Sequence, residues 1–151
     1  MKFSTRSRYG LRFMVDLAVN YDYFKPVPLN EIAERQELSE GYLEQLVTIM
    51  RKEGLIRSIR GAKGGYMLAK SPEEITAGDV IRCLEGPLKT TDCVMEDCPE
   101  PCGRAEICVT RTLWENIRKA TASILDNTTL KDLYLQAEQI KEARKPIIYD
   151  I

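Results

Sequence analysis

"LNEIAERQELSEGYLEQLVTIMRKEGLIRSIRGAKGGYML", residues 29–68, contains the pattern that decides the fold. "LNEIAERQ" predicts a short helix with one apolar side, and "SEGYLEQLVTIMRKEG" predicts a second helix that ends at Gly54, because glycine is favoured just after a helix C-terminus. The residues "ELS" predict a tight turn between them. Two short helices joined in this way are typical of a helix-turn-helix, whose second helix enters the major groove of DNA. A small helical motif with only a packing role is the alternative that the pattern leaves open.

The end of the same stretch, residues 55–68, predicts a β-hairpin. Apolar residues flank the glycine-rich turn "GAKGG" at residues 61–65, as expected for two short strands and a loop. A hairpin that follows a helix-turn-helix indicates a winged helix. The glycine run lacks the GxxxxGK[ST] order of a nucleotide-binding loop and does not open a helix, so it does not indicate a phosphate-binding loop.

Helices are also predicted on both sides of this stretch. Residues 8–23 carry apolar residues at helical spacing, and capping signatures predict helix starts at Ser71 and Thr76. "VTRTLWENIRKATASIL" predicts a long amphipathic helix, and a capping box at Thr129 and Asp132 predicts another. The fold class is therefore mainly α with a small β-hairpin wing. The long helix has two apolar sides, which favours a dimer interface over packing onto its own domain alone.

Four cysteines lie within "CVMEDCPEPCGRAEIC", residues 93–108, in a chain that has no histidine. The amino terminus "MKFSTRSRYG" lacks the apolar region of a secretory signal, and no apolar stretch reaches membrane-spanning length. We therefore expect a cytoplasmic protein without a membrane partner. In that compartment clustered thiols bind metal or sense redox state more often than they form disulfides. Cys83, which lies among apolar residues, is interpreted as a small buried apolar side chain.

The charge distribution and the missing catalytic patterns favour DNA binding over enzymatic activity. Residues 1–70 contain 12 Lys and Arg against 8 Asp and Glu, whereas residues 71–151 contain 10 against 15. The basic part coincides with the predicted winged helix. Without histidine no Ser–His or Cys–His pair can form, and no dinucleotide fingerprint is present. An adaptor that uses the winged fold only for protein contacts is the remaining rival.

Candidate DNA contacts follow from the positions of polar and basic residues on the second helix of the predicted helix-turn-helix, called the reader helix below, and on the wing. The exposed amino-terminal turns of the reader helix carry the candidates for base recognition: Ser39, Tyr42, Glu44 and Gln45. Glu44 is expected to accept a hydrogen bond from cytosine N4, because a carboxylate near phosphates is otherwise unfavourable. Arg60 is the minor-groove candidate at the wing. The phosphate candidates are Arg6, Arg8, Arg51, Lys52 and Lys63.

Taken together, these segments resemble a known bacterial family. "MKFSTRSRYGLRFMVDLA", "IAERQELSEGYLEQLVTIMRKEGLIRSIRGAKGGYML", the spaced cysteines and "LWENI...ILDNTTLKDL" are similar to the winged-helix regulators that include IscR, NsrR and CymR. The resemblance covers residues 1–135, and "YLEQL" and "TLWENI" favour IscR within the family. It implies a homodimer of winged-helix domains joined by a long crossed helix. It also implies binding to a palindromic operator in double-stranded DNA and an iron–sulfur cluster, of the 2Fe–2S type.

The resemblance also implies the cluster ligands Cys93, Cys102 and Cys108. The family pattern places a histidine ligand three residues after the last cysteine, but this chain has Arg111 there, and a guanidinium cannot serve as an ordinary ligand. The fourth ligand therefore stays open between Cys98 and an oxygen donor: Asp92, Glu96, Asp97 or an acid of the partner subunit. Zinc held by four thiolates and a thiol redox switch are alternatives, although the spacing lacks the paired C-x-x-C of common zinc ribbons.

The sequence thus predicts a transcription regulator in three regions. Residues 1–82 form a DNA-binding region, residues 83–108 a cysteine-rich cluster loop, and residues 109–151 a dimerisation helix followed by a helix that packs back on the DNA-binding region. The expected function is operator binding modulated by an iron–sulfur cluster, controlling genes of cluster biogenesis. The alternative function is that of a cluster-free or zinc- or thiol-based repressor of cysteine metabolism.

Overall fold

The structure, a computed structural model, describes residues 2–22, 24–97 and 99–144. In this part of the chain, six α-helices, a two-stranded hairpin and one short 3₁₀ turn follow one another. Their bounds are α1 Thr5–Val19, α2 Leu29–Gln36, α3 Glu40–Lys52, β1 Ile56–Ile59, β2 Gly65–Leu68, α4 Ala77–Glu85, the 3₁₀ turn Asp92–Val94, α5 Arg111–Asp126 and α6 Leu130–Ala143. The predicted fold class, mainly α with a small β-hairpin wing, is confirmed. No helix among these residues is long and apolar enough to cross a bilayer.

The helix-turn-helix forms where the sequence predicts it. α2 ends at Gln36, and the next residue, Glu37, takes the left-handed conformation with φ 54°, so the chain turns sharply before α3. The Ser39 hydroxyl then accepts the Tyr42 backbone N–H at 3.3 Å and caps α3. α3 ends just before Gly54, whose φ of +74° is a conformation that glycine adopts without strain.

The wing is an antiparallel hairpin in which Ile56 pairs with Leu68 and Ile59 pairs with Gly65. The loop between α1 and α2 adds one further pair to it, because Val27 and Tyr66 exchange backbone hydrogen bonds of 2.9 and 2.8 Å. Gly65 has φ +154°, and a Cβ there would overlap the Val27 backbone. A glycine at this position therefore lets the wing pack directly on the loop.

The core lies where α1, α2, α3, α4 and α6 meet. Its side chains are almost wholly buried: Phe13, Met14, Leu17, Ile32, Leu43, Leu46, Met50, Ile75, Val80 and Leu130. Leu130 joins this core because its N–H bonds the Ile75 carbonyl at 2.9 Å, while the Ala77 N–H bonds the Thr128 carbonyl at 2.8 Å. The start of α6 is thus fixed against the start of α4, and α6 packs back on α1.

Two predicted helix boundaries were wrong. The first helix spans Thr5–Val19 rather than residues 8–23, because the Ser4 side chain caps it at its amino end. No helix starts at Ser71, since the Glu74 carboxylate accepts both the backbone N–H and the hydroxyl of Ser71, at 3.0 and 2.8 Å, and closes a single turn. The helix begins instead after Thr76, where the predicted capping box with Asp79 is present.

Candidate DNA-binding surface and cysteine loop

The predicted DNA contacts all lie at the surface. Ser39, Glu44 and Gln45 are exposed on the first turns of α3, and Tyr42 is half-buried there. The basic candidates are exposed as well: Arg6, Arg8, Arg51, Lys52, Arg60 and Lys63. A shallow groove brings Arg6 of α1 together with Tyr42 and Gln45 of α3. Arg60 and Lys63 lie on the separate wing, so the candidates form a reader helix with a groove beside it and a basic wing.

Tyr42 is held by a residue that the sequence did not single out. The rings of Tyr9 and Tyr42 meet edge to face, with centroids 5.9 Å apart. The guanidinium of Arg12 lies 5.4 Å from the Tyr9 ring centre and donates hydrogen bonds of 3.1 and 2.7 Å to Gln36 at the end of α2. The orientation of the reader helix is thus tied to α1 and α2 at once.

An ion pair between the buried Asp16 and the partly exposed Arg35 fixes the end of α2 to α1. Asp16 is only 5% exposed, and it accepts hydrogen bonds from Arg35 at 3.0 and 2.7 Å and from the Gln36 amide at 2.8 Å. These hydrogen bonds raise the pKa of Arg35 above its ordinary value. Because the carboxylate is buried and fully paired, removal of one partner would leave an uncompensated charge. This pair lies outside the apolar periodicity from which the helices were predicted.

The described cysteines are free thiols in different surroundings. Cys93 lies in the 3₁₀ turn with its sulfur 3.3 Å from the Thr91 hydroxyl, and Cys102 is exposed. A hydrogen bond with the Thr110 hydroxyl lowers the pKa of the Cys108 thiol, which favours the reactive thiolate. Cys83 is half-buried, and burial raises its pKa to about 11, in keeping with a packing role.

The structure does not bring the predicted ligands into one site. Over residues 2–22, 24–97 and 99–144, no three cysteine, aspartate or glutamate side chains lie close enough to hold a metal ion. Cys98 lies outside the described residues. Arg111, at the position of the family's histidine ligand, is paired with Glu115 at 2.9 Å. The donor types nevertheless suit iron, because the described thiols form no disulfide and soft sulfur ligands favour iron–sulfur clusters.

Arg82 of α4 connects the cysteine loop, which in the structure is residues 86–110 between α4 and α5, with the end of α5. Its guanidinium donates two hydrogen bonds of 2.8 Å to Glu96 of the loop and bonds of 2.6 and 3.0 Å to Asp126. The Glu96 carboxylate also accepts the Leu88 N–H at 3.0 Å. The hydrogen bonds from Arg82 lower the pKa of Glu96 to about 2. Two oxygen candidates for the fourth ligand, Glu96 and Asp92, are therefore already paired, the latter with Lys89 at 2.7 Å.

Comparison with known proteins identifies the family. A family model described as "Rrf2: Iron-dependent Transcriptional regulator" matches residues 3–136. The chain belongs to the Rrf2 family. It is 49% identical over 141 residues to the HTH-type transcriptional regulator CymR of Bacillus subtilis, a match that covers 92% of this chain and 95% of that protein. It is 38% identical over 133 residues to IscR of Serratia proteamaculans, a match that covers 88% of this chain and 79% of that protein.

Solved structures of Rrf2 relatives agree with this assignment. The structure of CymR, the global cysteine regulator of B. subtilis, is 48% identical and has a TM-score of 0.73, covering 90% of this chain and 98% of that one. The structure of T. potens IscR is 43% identical and has a TM-score of 0.75, covering 99% and 95%. The chain is therefore a DNA-binding transcription regulator and not an enzyme. The expectation that it resembles IscR most is not supported, because its identity to B. subtilis CymR is higher.

Proposed function

We propose that this Rrf2 regulator binds a palindromic operator as a homodimer and that an iron–sulfur cluster on its cysteine loop modulates the binding. The observation that carries the proposal is a loop beside α5 in which Cys93, Cys102 and Cys108 are free thiols, the ligand type that iron–sulfur clusters require. The family description as iron-dependent supports it. A reducing cytoplasm would keep these thiols available.

The DNA contacts divide by position into base and phosphate contacts. The first turns of α3 enter the major groove, where Glu44 accepts from cytosine N4 while Gln45 reads an adjacent base edge. Arg60 enters the minor groove from the wing. The exposed cations of α1 and α3 contact phosphates and supply affinity that falls with salt. The groove between Arg6 and Tyr42 then faces the sugar-phosphate backbone at the edge of the reader helix.

Helix α5 is the proposed dimer contact. None of its sixteen residues is buried in the single chain. Leu113, Ile117 and Ile124 are 53%, 38% and 68% exposed, which is an apolar surface of the kind that marks a protein interface. A second copy packed on this face by a two-fold axis would present two reader helices, and operator palindromy follows from that symmetry.

The cysteine loop is the proposed cluster site. Cys93, Cys102 and Cys108 supply three thiolates, and the fourth position is open to Cys98, to Asp97 or to an acid of the partner subunit. When bound, a 2Fe–2S cluster supplies a redox- and iron-sensitive centre. Ligation requires the loop to draw its three thiols together, so the loop takes a different shape with and without the cluster. Genes of cluster biogenesis are the proposed targets.

A second candidate is a repressor of cysteine metabolism that responds through zinc or through its thiols. The identity of 49% to B. subtilis CymR favours it, since the solved structure of that protein is described as the global cysteine regulator. Four thiolates could hold zinc in a tetrahedral site. Cys108, whose pKa is lowered by the Thr110 hydroxyl, could instead respond to oxidants directly, because thiolates are the oxidisable form.

Anaerobic purification with an absorption spectrum and iron and sulfide analysis separates the two candidates. We expect iron and sulfide in stoichiometric amounts in the wild type. Cys93→Ser, Cys102→Ser and Cys108→Ser should each lose the visible spectrum, because each removes a thiolate ligand. Cys83→Ser is the matched control, since this thiol lies outside the candidate ligand set, and it should keep the cluster. A colourless wild type with stoichiometric zinc would favour the second candidate, and a metal-free wild type with reactive thiols would favour its thiol form.

A further inference from the structure

We propose that Arg82 is the positioning residue through which the cysteine loop acts on the DNA-binding surface, with α4 as the rigid connection between them. The inference rests on the proposed function, in which the loop modulates operator binding. The proposed route begins at Glu96 of the loop, which contacts Arg82 in the last turn of α4. It continues from Glu85, the last residue of α4, to the amino terminus of α1 and to the groove beside the reader helix.

The contact at the loop end is specific to a guanidinium. The Nε and Nη2 atoms of Arg82 donate one hydrogen bond each, both of 2.8 Å, to the two carboxylate oxygens of Glu96. Its Nη1 and Nη2 atoms donate to the two carboxylate oxygens of Asp126. A lysine could not make two bidentate contacts. The packing below the pair is adapted to it, because a Cβ at Gly78 would overlap both the Asp126 carboxylate and the Arg82 guanidinium. Arg82 thus joins three segments that are distant in sequence: α4, the loop and α5.

Glu96 moves with the turn that carries Cys93. Its side chain accepts the Leu88 N–H at 3.0 Å, and its own N–H donates to the Leu88 carbonyl at 2.8 Å. Residues 88–96 are therefore closed into a ring that contains the 3₁₀ turn and Cys93. A change in the position of the Cys93 thiol, such as the one that ligation requires, is transmitted within this ring to Glu96 and hence to Arg82.

The carboxyl end of α4, one turn after Arg82, contacts the DNA-binding surface. The Glu85 carboxylate accepts the Ser4 N–H at 2.6 Å, and Ser4 is the residue that caps α1. Leu84 packs so closely on α1 that a Cβ at Gly10 would overlap it. Leu84 and Glu85 also line the groove that contains Arg6, Tyr42 and Gln45.

Because Arg82 and Glu85 lie on one helix of nine residues, a displacement imposed at Arg82 is carried to this surface. Packed helices shift as units rather than deform continuously. The shift would change the position of the α1 amino terminus relative to the reader helix, and with it the phosphate contacts that set the register on DNA. The loop would then alter operator affinity without contacting DNA.

The test measures operator affinity of cluster-loaded and cluster-free protein for the wild type, Arg82→Gln, Gly78→Ala and Lys89→Gln. The operator is a duplex selected by the wild type from a random-sequence pool. Gly78→Ala keeps every charge, but its added methyl group would overlap the ends of the Asp126 and Arg82 side chains and displace their contact. No backbone atom has to move. Lys89→Gln is the matched control, because it removes an ion pair with Asp92 in the same loop, and both members of that pair lie outside α4.

We expect a wild-type affinity ratio between the two forms of about 5- to 150-fold, the usual size of a coupling between sites. In Arg82→Gln the ratio should fall to within about twofold of one, in Gly78→Ala it should fall partway, and in Lys89→Gln it should persist. A merely structural role of Arg82 would weaken both forms alike and leave the ratio unchanged. As a readout that needs no cluster, the thiol of Cys93 in cluster-free protein should react several-fold faster with a disulfide reagent in Arg82→Gln than in Lys89→Gln, because the ring has lost its anchor.

The outcomes separate this inference from the proposed function. Equal affinities of the two wild-type forms would overturn cluster modulation and the coupling together. A wild-type ratio that persists undiminished in both Arg82→Gln and Gly78→Ala would overturn the route through Arg82 alone and leave the proposed function standing. Unchanged Cys93 reactivity in Arg82→Gln would show that Arg82 does not anchor the loop through Glu96, which also removes the inference.

Discussion

Replacing Glu96 by glutamine should destabilise the protein at neutral pH and abolish part of its acid sensitivity. The hydrogen bonds from Arg82 hold the pKa of Glu96 at about 2, against an ordinary value of 4.5. A carboxyl group whose pKa is lowered by folding stabilises the folded state fully above the unfolded value. That stabilisation is lost as the pH falls from about 4.5 towards 2.

The magnitude follows from the size of this difference. A pKa difference of one corresponds to about 1.4 kcal/mol, so a fully shielded pair would contribute about 3 kcal/mol. The side chains of Arg82 and Glu96 are 27% and 16% exposed, and solvent screening reduces the expected contribution to roughly 1–2 kcal/mol. Roughly three-fifths of it should be gone by pH 3, because the unfolded carboxyl group takes up its proton first.

Urea denaturation of the wild type and Glu96→Gln between pH 7 and pH 3 measures this directly. Glu106→Gln is the control, because Glu106 is an exposed glutamate of the same loop. We expect the stability difference between wild type and Glu96→Gln to shrink as the pH falls below about 4.5, and Glu106→Gln to follow the wild type throughout. The role given to the Arg82–Glu96 pair would be refuted if the free energies of unfolding of wild type and Glu96→Gln differed by the same amount at every pH. It would also be refuted if they did not differ at pH 7.

Four further outcomes are expected. Arg60→Ala and Gln45→Ala should each weaken binding to the selected operator, by about 1–3 kcal/mol where a base contact is lost, while far-ultraviolet circular dichroism stays unchanged; wild-type affinity in both would remove the base-reading assignment. Lys52→Ala should weaken all duplexes alike and reduce the slope of log affinity against log salt by about one, and an unchanged slope would exclude a phosphate contact. Leu130→Ala should lower the free energy of unfolding by about 2–5 kcal/mol in urea denaturation, because Leu130 is wholly buried; a loss below about 1 kcal/mol would contradict its place in the core. Cys98→Ala should keep the wild-type cluster spectrum, and a lost or altered spectrum would make Cys98 the fourth ligand.

The winged helix could be predicted because its signals are local. The Ser39 cap, Gly54 after α3 and the glycine run of the wing each act on neighbouring residues, so their spacing in the sequence is enough. The same kind of signal misled at Ser71, where Glu74 closes one turn and the backbone of Ile75 is held by Leu130 of α6 instead of continuing a helix. A capping signature indicates a helix only when the next residues are free to follow it.

The contacts that connect the sites could not be predicted from periodicity. Arg82 lies 14 residues from Glu96 and 44 from Asp126, and Tyr9 lies 33 residues from Tyr42. Such pairs form only after the helices have packed, since no repeat in the sequence brings them together. The resemblance to a family implied Cys93, Cys102 and Cys108 as cluster ligands, but the spacing of cysteines does not fix how their thiols converge. Among the described residues these three sulfur atoms do not lie together.

We propose that the state of the cysteine loop changes operator recognition. The most direct test is the affinity of anaerobic, cluster-loaded wild-type protein and of the same protein after cluster removal, measured by fluorescence anisotropy at physiological salt. The duplexes are a panel of operators selected with each form. We predict that the two forms differ by about fivefold or more on at least one operator and rank the panel differently. Identical affinities across the whole panel would contradict the claim and leave a DNA-binding regulator whose cysteine loop does not control it.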